Sequence, residues 1–251
     1  MPFTLQYARA NTARWAGGGG VNLQNINRNK VRGWNLRSIF VAAKDYVFIQ
    51  ADFGQIEPRT TMFLTGDNEA LELLRQGGRD VDLYEIHART TMGYTDPRPL
   101  KETNHQLRHL AKARVIALAY GVGGPRFKDM AKELCGIDLS LEDATEQVKK
   151  FRASSPRVIR LWRDLEKALT QCDGGTCRIP LPNTQIEPAA LRFLHYYNVF
   201  APPDAWDKAA YVGDRGGRMS RIYGGALLEN LVQAVARDIM ADAWLRCADA
   251  G

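Results

Sequence analysis

Between Asn104 and Tyr120 the apolar residues Leu107, Ala111, Val115 and Leu118 recur at intervals of three and four. That spacing gathers side chains on one side of an α-helix and predicts a helix with one face in a core. Similar patterns predict helices over Phe127–Leu134, Leu141–Ala153 and Pro156–Cys172, the last packing through Val158, Ile159, Leu161 and Trp162. Ser140 stands where the second of these needs an N-cap. Asp67 to about Thr91 also reads as helices, and Tyr223–Ala250 as a long closing one. Elsewhere the pattern changes. Val47–Ala51 is a short apolar run that reads as a buried strand, followed by a helix over Gln55–Gly66 with apolar Ile56, Met62, Phe63 and Leu64. Cys177–Pro182 reads as a short strand. Residues 1–46 hold little that looks helical, and 183–220 are the least readable part.

A chain of 251 residues is long enough for one large core or two subdomains. Its 45% hydrophobic and 25% charged residues are those of an ordinary globular protein. The formal charge of +6 and the pI of about 9.2 favour a polyanionic partner without identifying one. No apolar run approaches the roughly 18 residues of a membrane helix, and the first residues lack the basic and apolar regions of a signal peptide. Both features predict a cytosolic protein with no membrane partner. Cys135, Cys172, Cys177 and Cys247 form no C-x-x-C pair. Cys172 and Cys177 could clip a zinc, but no second pair supports it, so free thiols are expected.

Candidate chemistry begins at Asp52, which the strand delivers at its end, rigid and facing outward. A carboxylate so placed suits a metal; it equally suits capping of the next helix. On the helix of residues 104–120, Arg108, Lys112, Ile116 and Tyr120 are each four apart and stack along one face beside the apolar stripe. Two cations one turn apart can grip one polyphosphate, and the apolar and aromatic residues beyond can meet a base; a solvated basic stripe has the same pattern. The glycines after Tyr120 do not form a P-loop, because no strand precedes them and no Gly-Lys-Ser/Thr follows. Asn22, Gln24, Asn25 and Arg28 cluster amides with a cation, as in readers of base edges and phosphate, or as in a polar turn. His87 on its helix reads as an ordinary surface or core histidine.

These residues share an order with one family. Ala51-Asp52-Phe53-Gly54-Gln55-Ile56-Glu57-Pro58-Arg59 resembles motif A of the family A DNA polymerases, usually Ala-Asp-Tyr-Ser-Gln-Ile-Glu-Leu-Arg. Arg108-x-x-x-Lys112, then Ile116 and Tyr120-Gly121, is similar to motif B, at the right distance from Asp52. Thr12-Ala-Arg14, Asn22-Leu-Gln24-Asn25-Ile26 and Leu36-Arg37 follow the family's segment before motif A. Glu85-Ile-His87 resembles its Asp-Ile-His, and Glu229-Asn-Leu-Val-Gln233 the phage-type palm helix. Ala13 replaces a glycine, Asn27 a proline, Glu85 an aspartate, and Ile116 an aromatic residue, which weakens stacking on the incoming base.

The resemblance implies a helix-rich α+β fold with a small antiparallel palm sheet: palm over 1–68 and 222–251, fingers over 69–221. It implies template-directed DNA polymerase activity in phage-like replication. The expected partners are a dNTP, primer–template DNA and two Mg²⁺ ions. Asp52 and the carbonyl of Phe53 would hold metal. Gln55, Glu57, His87, Arg108, Lys112 and Ile116 would contact the dNTP, with Arg108 and Lys112 also catalytic and Glu57 excluding a 2′-hydroxyl. Arg14, Asn22, Gln24, Asn25, Arg59, Tyr120 and Gln233 would contact DNA. The family's motif C, a hairpin bearing His-Asp-Glu, is not among the 251 residues. The expectation is therefore a chain that does not extend primers alone, completed by a separate C-terminal piece carrying that motif. A non-catalytic nucleic-acid-binding remnant is the alternative. A single-subunit RNA polymerase is disfavoured by Glu57, since such an enzyme must admit the 2′-hydroxyl.

Overall fold

The apolar stripe of residues 104–120 lies on a helix, His105–Ala117, which tightens into a 3-10 turn at Leu118–Tyr120. Asn104 starts it, its Oδ1 accepting from the backbone N–H of Leu107 at 2.9 Å. The computed structural model describes residues 4–6, 12, 14–18, 26, 31–78, 81–182, 192–202, 210–213 and 218–250. They belong to two units, Met1–Gly54 and Gln55–Gly251. The fold is α+β, helix-rich with small antiparallel sheets.

In the first unit β1 (Thr4–Gln6) pairs antiparallel with β2 (Ala16–Gly18), Leu5 opposite Gly17. Val31 and Trp34 exchange backbone hydrogen bonds of 2.9 and 3.0 Å across a turn. Arg32 and Gly33 both take positive φ there, the backbone of the tight hairpin turns. Leu36–Ile39 is a 3-10 helix capped by Asn35. The buried strand expected at Val47–Ala51 is not formed: Val47, Phe48 and Ile49 are 81%, 70% and 90% exposed, in irregular backbone. An apolar β-branched run supplies only propensity. A strand also needs a neighbour to take its backbone hydrogen bonds, and among the described residues none pairs with this segment.

The second unit is built from α1 (Ile56–Leu64), α2 (Asn68–Gly77), α3 (Leu83–Thr91), α4 (Leu100–Thr103), α5 (His105–Ala117), α6 (Gly124–Cys135), α7 (Leu141–Ser154), α8 (Pro156–Thr170) and α9 (Gly224–Asp249), with a sheet between the last two. Asp67, Asp82 and Ser140 cap α2, α3 and α7. For Ser140 this is the cap expected from sequence.

Helix α5 lies between two small cores. Ala111 belongs to one with Tyr84, Ala88, Tyr94 and Leu100, against which Leu107, Val115 and Ile116 also pack. Ala113, Ala117, Leu118 and Ala119 belong to the other, with Phe127 and Ala131 from α6 and Ala144, Val148 and Phe151 from α7.

A third core joins α8 and α9 to the four-stranded antiparallel sheet β3 (Cys177–Pro180), β4 (Phe193–Phe200), β5 (Ala210–Gly213) and β6 (Met219–Ile222). Leu227, Leu228, Val232 and Val235 of α9 are at most 1% exposed, and such burial stabilises by roughly 1.5–3 kcal/mol per side chain. Further along α9, Trp244 and Leu245 are exposed. All four cysteines are free thiols, as expected. Among the described residues no helix is long and apolar enough to cross a membrane.

Candidate functional site

Arg108, Lys112, Ile116 and Tyr120 occupy the side of α5 and its 3-10 turn that neither core covers fully, and all four are half-buried. Arg108 is held from two directions. Its Nε donates to Asp82 Oδ2 at 2.6 Å, and its guanidinium carbon lies 5.4 Å from the centre of the Tyr84 ring. A charge-assisted bond and a cation–π contact fix the side chain. They leave its two terminal nitrogens without a partner among the described residues. Lys112, one turn on, makes no hydrogen bond or ion pair with a described residue. Two cations thus sit in a partly desolvated place, one oriented by Asp82 and Tyr84 and one with no described partner, which suits an anionic ligand with several oxygens.

Asp82 is the junction of this arrangement, and its side chain is 13% exposed. One oxygen accepts from the N–H of Tyr84 at 3.1 Å, capping α3, and from Gln55 Nε2 at 3.2 Å. The other accepts from Arg108. Gln55 in turn accepts from the N–H of Leu83 at 3.2 Å. Gln55 is one of four described non-glycine residues with positive φ, at 57°. That left-handed backbone turns the chain into α1 while its side chain ties α1 to α3. Gln55, expected at the dNTP, thus braces Asp82, the partner of Arg108.

Tyr120 donates to Glu57 Oε2 at 3.2 Å. Burial raises its pKa, and the Glu57 carboxylate raises it further. The phenol therefore stays protonated and remains a donor. Glu57 is held at one carboxylate oxygen, on the first turn of α1.

His87, expected at the triphosphate, lies against α7. Its ring lies 5.9 Å from that of Phe151 on α7, and Thr91 Oγ1 is within 3.1 Å of a ring nitrogen. No hydrogen bond or ion pair joins it to Arg108 or Lys112 among the described residues. Burial, then the charge of Arg114, lowers its pKa to about 3. A neutral imidazole adds no positive charge for a phosphate. It also sets a pH dependence. The unfolded chain binds a proton near pH 6.5 that the folded chain refuses, so stability is full above that pH and falls as the pH drops toward 3. Thermal melts from pH 7 to pH 4 should show a declining melting temperature, and His87→Gln should flatten the decline. A wild-type curve that is flat over that range would contradict the burial argument.

Arg114 sits in an otherwise apolar arc of α5, and sequence spacing gives no sign of its burial. It is 1% exposed, and its Nη1 donates to Gln147 on α7 at 3.3 Å. Its Nε and Nη2 lack a partner among the described residues, and burial pushes its pKa down to about 10. Glu85, where the motif has an aspartate, is bound on both oxygens, by Arg89 at 2.8 Å and by the N–H of Leu100 at 2.8 Å. It fastens α3 to the start of α4.

The other expected residues lie on other elements or outside the described residues. Asp52 and Phe53 are exposed, in irregular chain at the end of the first unit, and Arg14 is exposed in the same unit. Asn22, Gln24 and Asn25 lie outside the described residues. Arg59 is half-buried on α1. Gln233 donates to Glu229 at 3.1 Å on α9. No three His, Cys, Asp or Glu side chains converge as a metal cage among the described residues. Asp52 alone fits Mg²⁺ as one hard oxygen ligand, because that ion takes the rest from phosphate and water.

The family model "DNA polymerase family A" matches residues 6–175. The chain belongs to DNA polymerase family A. It is 23% identical to the DNA polymerase of Bacillus phage SP02 over 295 aligned positions, covering 98% of this chain and 43% of that protein. It is 30% identical to DNA polymerase I of Aquifex aeolicus over 146 positions, 58% of this chain and 23% of that one. With the thermostable DNA polymerase I of Thermus aquaticus it shares 28% over 150 positions, 60% and 16% of the two chains. The chain thus spans less than half the length of these family A relatives. Both the α5 face and Asp52 lie within the matched residues.

Proposed function

We propose that this chain is the palm and fingers portion of a phage-type DNA-directed DNA polymerase, with palm over 1–68 and 222–251 and fingers over 69–221. The observation that carries the reading is the pairing of Arg108 and Lys112 one turn apart on a half-buried helix face, with Tyr120 bonded to Glu57 further along it. The two cations bind the triphosphate of a dNTP and offset charge that develops on it as the bond to the leaving group breaks. Glu57, held in place by Tyr120, stands against the sugar and excludes a 2′-hydroxyl. Ile116 offers the base an apolar but poorly stacking neighbour. Arg14, Arg59, Gln233 and the Asn22–Asn25 segment contact primer–template DNA. Asp52 and the carbonyl of Phe53 would hold Mg²⁺, which when bound polarises the phosphate and favours ionisation of the primer 3′-hydroxyl. Motif C, which lies outside these 251 residues, would supply the further carboxylates.

Equilibrium binding of a dNTP with Mg²⁺ and a primer–template tests this. Affinity should rise when the templating base matches the nucleotide. The wild-type complex should prefer a dNTP over the matching rNTP, and Glu57→Ala should narrow that preference by about tenfold, since a shorter side chain opens room at the sugar. Binding indifferent to the template base would overturn the polymerase reading. A preference unchanged by Glu57→Ala would overturn only the role given to Glu57.

A further inference from the structure

The sheet of residues 177–222 has two unlike faces. One face packs Cys177, Ile179, Leu194, Tyr196, Val199, Ala210, Val212 and Ile222 into the core with α8 and α9. The other looks outward and is strongly aromatic. Along β4, Phe193, His195 and Tyr197 alternate with the buried positions. Their ring centres are 6.3 and 6.1 Å apart, the second pair nearly parallel at 16°. A register shift between Tyr197 and Phe200 returns Phe200 to the outer face, where it meets Tyr211 of β5 at 6.5 Å. Tyr197, Phe200 and Tyr211 are 38%, 52% and 37% exposed.

Cations flank this ridge on both sides. Arg178 of β3 pairs across from His195, and Arg221 of β6 pairs across from Tyr211. Both are exposed, and no described residue of the four strands is acidic. An outer sheet face is ordinarily polar, because burial gives exposed rings nothing. Rings in rows, interleaved with arginine on strands whose described residues include no carboxylate, are the composition of a single-strand platform. Bases stack on the rings whatever their sequence, and the guanidinium groups meet the phosphates. Residues two apart on a strand lie about 6.7 Å from each other. A stretched single strand, opened to about twice the 3.4 Å rise of a strand in duplex, matches that interval.

We propose that the outer face of β3–β6 binds single-stranded DNA, with Tyr197, Phe200 and Tyr211 stacking bases and Arg178 and Arg221 holding phosphates. The surface is distinct from the α5 face and does not depend on the reading given to Arg108 and Lys112. Its charge and its rings select a single-stranded polyanion. A second copy of this chain would bring arginine against arginine.

The test is fluorescence anisotropy of a labelled 15-mer oligothymidylate with the intact protein, with and without an equal-length duplex competitor. Removing one stacked ring should weaken binding about tenfold. Tyr197→Ala with Tyr211→Ala should therefore lose most of the affinity, while the circular dichroism and dNTP affinity stay unchanged. Arg178→Glu should weaken binding and reduce the dependence of log Kd on log salt by about one phosphate contact. Lys112→Ala should leave oligothymidylate binding intact, which separates this surface from the nucleotide site. The proposal is overturned if both ring and charge variants bind the oligonucleotide like wild type. It is also overturned if duplex competes as well as single strand, or if the ring variants instead abolish self-association seen by sedimentation.

Discussion

Gly225→Ala is expected to lower the melting temperature by about 6–12 °C, the effect of roughly 3 kcal/mol of overpacking in a unit of this size. Helix α9 begins by crossing the end of the 3-10 turn after α5 at backbone contact. A Cβ at Gly225 would run into the carbonyl group of Tyr120 and stand 2.7 Å from the backbone nitrogen of Gly121. Those atoms are main chain and cannot swing aside as a flexible side chain would. Gly224 is nearly as tight, its Cβ falling 2.6 Å from Trp162 Cβ and 2.8 Å from its Cα. Relief at Gly225 would push Tyr120 away, so the variant should also lose the Tyr120–Glu57 bond and bind dNTP more weakly. Gly123→Ala is the control, since a Cβ there meets nothing within 4 Å. Differential scanning calorimetry of the two variants decides the matter. Equal melting temperatures would mean that the start of α9 can move freely off α5.

The second large effect is on nucleotide affinity. Lys112→Ala and Arg108→Ala should each weaken binding of a dNTP with Mg²⁺ by about 10- to 150-fold, the loss of one charge-assisted contact of roughly 1.5–3 kcal/mol. Their effects on folding should differ. Lys112 has no partner among the described residues, so its removal should leave the melting temperature in place. Arg108 satisfies Asp82 at 2.6 Å, and its loss leaves a carboxylate that is only 13% exposed without its charged partner. Arg108→Lys is not a mild change either. One ammonium cannot bind Asp82 and present a two-pronged fork to phosphate at once. Isothermal titration with dNTP, beside thermal melts, separates the two residues. Unchanged affinity in both variants would return the stripe to a solvated basic face.

Helices were the legible part of this sequence, for a physical reason. In α8 the residues Val158, Leu161, Trp162, Leu165 and Leu169 fall on one side and pack on the sheet and α9, and that asymmetry is local. Strands fared worse because their signal depends on neighbours distant in sequence. In β4 a register shift breaks the alternation between Tyr196 and Val199, and Phe193, Tyr197 and Phe200 on the outer face are as apolar as Leu194, Tyr196 and Val199 on the inner one, so no alternation could be read. Val47–Ile49 failed in the opposite way, with strand composition and no partner.

At the candidate site, the spacing of Arg108, Lys112 and Tyr120 gave one helix face directly. The bond from Tyr120 to Glu57 spans 63 residues and was beyond any local pattern. Asp82 carried no reading of its own from the sequence, although it caps α3. Its second task, holding Arg108, depends on how α3 meets α5. Arg114 was hidden because a charged residue within a helix ordinarily reads as solvent-facing, and here it is buried against α7.

The position of α5 between two cores bears on which genetic changes this stretch can absorb. Ala111 faces one core, Ala113 and Ala117 the other, and Arg114 is enclosed on the buried side. Adding or deleting a single residue would turn everything after it by about 100°. An insertion before Ala111 would drive Lys112 from its open face toward a core and bring alanines out in its place. Substitutions change one contact at a time, whereas a change of length misplaces both cores and the cation pair together. The four-residue interval from Arg108 to Lys112 is thus held by packing, apart from the ligand proposed for it, and drift in this helix should run through residue identity and never through residue number.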